Sequence, residues 1–107
     1  MAAYYHLKPS GVQHMFNLKG GNHETVLTSE RYLTKQGAQG GIASVKVNAP
    51  IDARYINRTS TGGAPYFVLK AANGEIIGTS EMYSTAAARD VGIAWVKTNA
   101  PTANTVE

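Results

Sequence analysis

The chain contains no cysteine. That excludes disulfide scaffolds, thiolate zinc sites, iron–sulfur clusters and cysteine nucleophiles. Charged residues are scarce, at 16% of the chain where about 25% is ordinary. They form no basic run, so the clustered footprint of a dedicated nucleic-acid binder is missing. No apolar run approaches the ~18 residues that a membrane span needs. The start, MAAYYHLKPSG, has no charged segment followed by an apolar stretch, so no secretory signal is visible. Together these absences lead to the expectation of a cytoplasmic protein with no membrane partner.

What is present suits one globular domain. The chain has 107 residues, 43% of them hydrophobic, enough apolar mass to offset the entropy cost of ordering the backbone. The net charge is +3. It is spread, with five basic and three acidic side chains in residues 1–53 and five and four in residues 54–107. This balance permits weak non-specific contact with nucleic acid and points to no particular partner.

The main signal is an internal repeat. Shifted by 51 residues without a gap, the chain matches itself. Window 15–50 reads MFNLKGGNHETVLTSERYLTKQGAQGGIASVKVNAP, and window 66–101 reads YFVLKAANGEIIGTSEMYSTAAARDVGIAWVKTNAP. Eighteen of the 36 aligned positions are identical. In the same ungapped frame Tyr4 falls on Tyr55. The chain reads as a tandem duplication, with repeats at 1–51 and 52–107. Half-chains of this size bury too little surface to be secure alone. The expectation is a single domain over 1–107, monomeric, in which the repeats pair like the halves of a dimer.

Each repeat reads as three strands and a helix. Strands are expected around Tyr4–Lys8 and Arg54–Thr59. A hairpin follows in each repeat. In the second, Tyr66–Lys70 leads through the two-residue turn Asn73-Gly74 to Glu75–Ser80. Alternation puts Phe67, Leu69, Ile76 and Gly78 on the inner face, and Lys70, Glu75 and Ile77 outside. The first repeat places Phe16, Leu18 and Leu27 inside, with Asn22-His23 as a poorer turn. Thr34 and Thr85 are placed to cap helices. Ala86, Ile93, Val96 and Ala100 then share one helical face, with Ile42 and Val45 as counterparts. The Asn-Ala-Pro triplets at 48–50 and 99–101 stop both helices. The fold class is therefore α+β: two tandem β3-α repeats forming one mainly antiparallel sheet, pseudo-twofold symmetric, with both helices on one face.

The pattern K-x-x-N-G-E-x-I-x-x-S-E-x-Y, followed by a helix ending G-I-x-x-V-K-x-N-A-P, resembles the YegP-like bacterial proteins, a small, often duplicated, uncharacterised family. The resemblance covers nearly the whole chain twice. It implies a β3-α-β unit whose last strand is exchanged between repeats, making Ala103–Val106 a short final strand. It implies no activity, substrate or cofactor.

Candidate functional residues are few. Ser29, Glu30 and Tyr32, repeated as Ser80, Glu81 and Tyr83, place a hydroxyl, a carboxylate and a phenol where strand gives way to helix. Duplication of the trio suits a structural role, because catalytic sets combine different roles. Lys19 with Glu24, and Lys70 with Glu75, are positioned for cross-strand ion pairs. His6, His14 and His23 have no partners at ligand spacing, so no metal site is expected, and no cofactor or catalytic residue is assigned. Gly41 and Gly92 interrupt both helices, which implies close packing there. Trp95 replaces Ser44 of the first repeat and lies off the core stripe, either covering a seam between repeats or serving as a binding anchor. These features favour a non-enzymatic binding or interaction module. The alternative is a nucleic-acid-associated protein using Lys46, Lys97 and Arg89, or Tyr4, Tyr55 and Tyr66 on an open sheet face.

Overall fold

The computed structural model describes residues 2–107. In chain order its elements are β1 (Tyr4–Ser10), β2 (Gln13–Lys19), β3 (Thr25–Thr28), α1 (Lys35–Asn48), β4 (Tyr55–Thr59), β5 (Pro65–Lys70), β6 (Ile76–Ser80), α2 (Ala86–Asn99) and β7 (Asn104–Val106). Short 3-10 turns at Asp52–Arg54 and Ala100–Thr102 follow the helices. The strands form one seven-stranded sheet in the order β4-β5-β6-β3-β2-β1-β7, antiparallel except where β7 runs parallel to β1. The α+β architecture expected from the repeat is present.

The repeats join at the centre of the sheet. There β3 pairs with β6, setting Leu27 opposite Ser80 and Thr28 opposite Thr79. Thr28 and Thr79 occupy the same repeat position, so the pseudo-twofold axis passes between them. Near that axis symmetry fails. Leu27 and Gly78 are also equivalent positions, and a Cβ on Gly78 would lie 2.6 Å from Leu27 Cγ. One leucine fills the space on the axis, and its mate has given way to glycine.

One face of the sheet carries the core. Tyr5, Phe16, Leu18, Leu27, Phe67 and Leu69 are almost fully buried there, with Val45 of α1 and Val96 of α2 in the same cluster. Burying each large apolar side chain contributes about 1.5–3 kcal/mol. Thr34 and Thr85 cap the helices as expected, accepting from Gly37 N and Ala88 N. Ala86 departs from the expected stripe and is exposed, because it opens α2 before the helix reaches the sheet. Ala100 is buried but lies in the turn after α2.

The hairpins differ from expectation in one residue. His23 and Gly74 alone adopt positive φ in these turns, at 68° and 85°. Gly20 N donates to Glu24 O, and Ala71 N donates to Glu75 O. Each loop thus has three residues, a turn closed by a left-handed residue. A bulge follows in each hairpin, setting Lys19 opposite Thr25 and Lys70 opposite Ile76. The extra residue carries Ile77, expected outside, into the core, while Ile76 is only half-buried. It also removes the expected ion pairs. The salt bridges among the described residues are Lys35–Glu107, Arg89–Asp90 and Lys97–Asp52.

The ungapped repeat frame fails in the first strand. Tyr5, not Tyr4, is the counterpart of Tyr55, for Tyr5 faces Leu18 as Tyr55 faces Leu69. The stretch from Tyr55 to its partner Leu69 is one residue longer than that from Tyr5 to Leu18. Each of these tyrosines reaches the chain just past a helix. Tyr5 Oη donates to Ala100 O at 2.7 Å, and Tyr55 Oη to Ala49 O at 2.6 Å. The strand exchange implied by the family resemblance occurs once. β7 of the second repeat adds to β1, whereas the equivalent stretch of the first repeat runs directly into β4.

Candidate functional site

The two Ser-Glu-Tyr trios do not converge into reactive sites. Ser29 and Ser80 are buried at the ends of β3 and β6. Phe16 N donates to Ser29 Oγ at 2.9 Å, and that hydroxyl donates to Glu30 O at 2.7 Å. The second repeat copies this, with Phe67 N to Ser80 Oγ at 2.9 Å and Ser80 Oγ to Glu81 O at 2.8 Å. Each serine therefore satisfies a buried backbone donor where the strand ladder ends. Glu30 and Glu81 are exposed.

Tyr32 and Tyr83 lie half-buried against the helices. Their rings stack on Phe16 and Phe67 at centroid separations of 6.3 Å each. A methyl on Gly41 or Gly92 would overlap the hydroxyl of Tyr32 or Tyr83, so the helical glycines exist to seat these rings. Burial, with the charge of Glu81, pushes the Tyr83 phenol up to about 12. Burial, with Glu30 and Glu75, moves Tyr32 the same way. A phenol held protonated this firmly is a poor general base near neutral pH.

Tyr5 and Tyr55 are also raised, first by burial and then by a neighbouring group, Tyr55 and Asp52 respectively. Above about pH 10 an unfolded chain releases its phenolic protons while the folded chain keeps them. Stability is therefore fully present below that pH and falls as pH rises. Urea midpoints at about pH 9 and about pH 11 check this, with the midpoint expected lower at the higher pH and the drop smaller in Tyr5→Phe.

Most of the residues proposed for nucleic acid have partners within the protein, and Tyr66 lies half-buried on β5. Lys46 and Lys97 lie over the Tyr5 and Tyr55 rings, 5.6 and 5.5 Å from their centroids. Arg89 pairs with Asp90. Tyr55 faces the core beside Phe67 rather than the open sheet face. Tyr4 is hydrogen-bonded to His23 Nδ1 at 2.7 Å. His6 lies on β1 and His14 on β2, and among the described residues no three potential metal ligands gather.

Trp95 leads to a different place. It is half-buried against the core and reaches across to the other repeat, where a Cβ on Gly20 would lie 3.7 Å from its Cζ2. Its remaining surface walls a groove of about 470 Å³ between α2 and the β2–β3 hairpin. Gly20, Asn22, Glu24 and Val26 line it from the hairpin, Ala88, Val91 and Gly92 from the helix, and Tyr83 from the segment between. Of the residues singled out in the sequence as binding candidates, the structure brings Tyr83 and Trp95 together here. Glu81 adjoins them, its N–H donating to Val26 O at 3.2 Å. Ser29, Glu30 and Tyr32 belong to the opposite half, and Ser80 is sealed under the sheet end. Asn22, Glu24, Val26 and Val91 were not legible as site residues. The one signal for them was that Trp95 breaks the repeat.

Residues 10–55 and 60–107 match, as two copies, the family described as Domain of unknown function (DUF1508). The chain belongs to the DUF1508 family. A UPF0339 protein of Bordetella pertussis is 62% identical over 105 residues, covering 98% of this chain and 95% of the relative. UPF0339 protein YegP of Escherichia coli K12 is 53% identical over 100 residues, 92% of this chain and 91% of its own. The solution structure of a Shewanella oneidensis UPF0339 protein superposes with a TM-score of 0.90 at 51% identity, covering 98% of this chain and 90% of that one. That of Escherichia coli YegP gives 0.89 at 50% identity, with 98% and 91% covered. These DUF1508 relatives are bacterial and carry no assigned function. Among the described residues no helix is long and apolar enough to cross a membrane.

Proposed function

We propose that this DUF1508 protein is a small non-enzymatic binding module, acting in the cytoplasm as one body made of both repeats. Its ligand site is the groove between α2 and the β2–β3 hairpin. The observation that carries this reading is the position of Trp95, the chain's one tryptophan, on the wall of a groove that both repeats build. The volume, about 470 Å³, falls within the range of small-molecule sites, which are largely apolar with a few placed polar groups. Apolar Val26 and Val91, the Trp95 and Tyr83 rings, and polar Asn22 and Glu24 answer to that description.

Titration of the labelled protein with a library of small fragments tests it. Amide shifts are expected at Gly20, Val91 and Gly92, with a change in Trp95 fluorescence. Shifts confined to the open sheet face, or none at any fragment, would defeat the reading.

A further inference from the structure

The charge of this groove points to the kind of molecule it receives. The protein carries a net +3, yet among the described residues the one charged side chain lining the groove is Glu24. Glu81 is tied to the same edge through its backbone bond to Val26. The two carboxylates feel each other, for burial and then the charge of Glu24 raise the proton affinity of Glu81. Among the described residues neither is in an ion pair, and the α2 cations Arg89 and Lys97 pair with Asp90 and Asp52. Beside these carboxylates stand the indole of Trp95 and the phenol ring of Tyr83. Aromatic faces attract cations through their quadrupoles, tryptophan most strongly. An anion entering here meets uncompensated negative charge. A neutral apolar body leaves the carboxylates partly desolvated and unpaired.

Resting on the groove as the binding site, we propose that it takes a small organic cation, an ammonium group on a compact apolar body, with Trp95 and Tyr83 against the body and Glu24 and Glu81 toward the charge. The volume admits a free amine of modest size. The first-repeat counterparts of Val91 and Trp95 are Gly40 and Ser44, so the equivalent edge keeps Glu30, Glu75 and the Tyr32 phenol but lacks the indole and the valine. A cation alone therefore does not suffice for that half.

The experiment titrates phenethylammonium, its neutral analogue phenethyl alcohol and the anion phenylacetate into the labelled full chain, reading Trp95 fluorescence and the amides of Gly20 and Gly92. The cation is expected to bind roughly five- to tenfold more tightly than the alcohol, the size given by pairing its charge with two partly exposed carboxylates. Phenylacetate is expected to be weakest. The double variant Glu24→Gln/Glu81→Gln should bring the cation and the alcohol to equal affinity, and Trp95→Ser should weaken both. Equal binding of cation and alcohol, or a preference surviving in the double variant, overturns the cation assignment and leaves the groove standing. Absence of groove shifts with all three probes overturns the groove itself. Tighter binding of an N-acetylated, lysine-containing tripeptide amide than of the free amine overturns the small-molecule ligand in favour of a peptide.

Discussion

The two helices meet the two hairpins differently, although one sequence motif wrote both halves. The positions of α1 that correspond to Ala88, Val91, Gly92 and Trp95 of α2 are Gly37, Gly40, Gly41 and Ser44. With so little side chain there, α1 approaches both β5 and β6, and Ile77 beneath it is buried. On the other side Trp95 stands between α2 and the β2–β3 hairpin with the exposed Val91 on the groove's rim, and Val26, the counterpart of Ile77, is only half-buried. The groove is the space left by that difference. A duplicated fold can thus keep its core by repetition and acquire a site by enlarging one face of one copy.

The sharpest test of how far the halves are interchangeable lies on the axis. Leu27→Gly should cost at least the ~2–5 kcal/mol typical of emptying a leucine site. Gly78→Leu alone should cost about 1–3 kcal/mol by overpacking against Leu27. The double variant moves the leucine to the other side of the axis and should recover more than half of the summed loss in urea denaturation. Purely additive losses would mean that the two positions do not share one space.

Next in size are the strand-end serines. Ser29→Ala and Ser80→Ala each strand a buried backbone N–H, at Phe16 and Phe67, and should each cost about 1–3 kcal/mol. Their hydrogen bonds match within 0.1 Å, so the two losses should be alike. A loss at one site only would show that the clamp matters in one repeat. The smallest effect concerns the turns. His23 adopts a left-handed φ that Gly74 adopts freely. His23→Gly relieves that strain, worth about 1–2 kcal/mol, but forfeits the Tyr4 contact and adds unfolded-chain entropy. A net gain under about 1 kcal/mol in thermal unfolding is expected; a clear loss would show that the Tyr4–His23 bond outweighs the backbone.

Much of the fold was legible before the structure. The helix ends follow from Thr34, Thr85 and the Asn-Ala-Pro stops, because caps and proline act within a few residues. The hairpin strands follow from alternation. The bulges were not legible, since an extra residue in a strand leaves no mark on composition, and so Ile77 was assigned to the wrong face. The offset between Tyr4 and Tyr55 escaped for a similar reason. Tyr4 and Tyr5 are adjacent and identical, and only the sheet register tells which one reaches across to Ala100. Of the site, Tyr83 and Trp95 could be named, but Glu24 and Val26 come to them from a hairpin some 60–70 positions away in the chain.

By itself the sequence determined the duplication, the order of strands and helix in each repeat, and the layering that follows from one apolar side per element. These depend on neighbours in the chain, whose periodicity and capping are local. Tertiary structure alone decided that positions 27 and 78 share one space at the axis, where β7 attached, and that α2 stands off the β2–β3 hairpin. Those outcomes depend on which side chains compete for one volume, and that competition exists only after distant segments have been brought together.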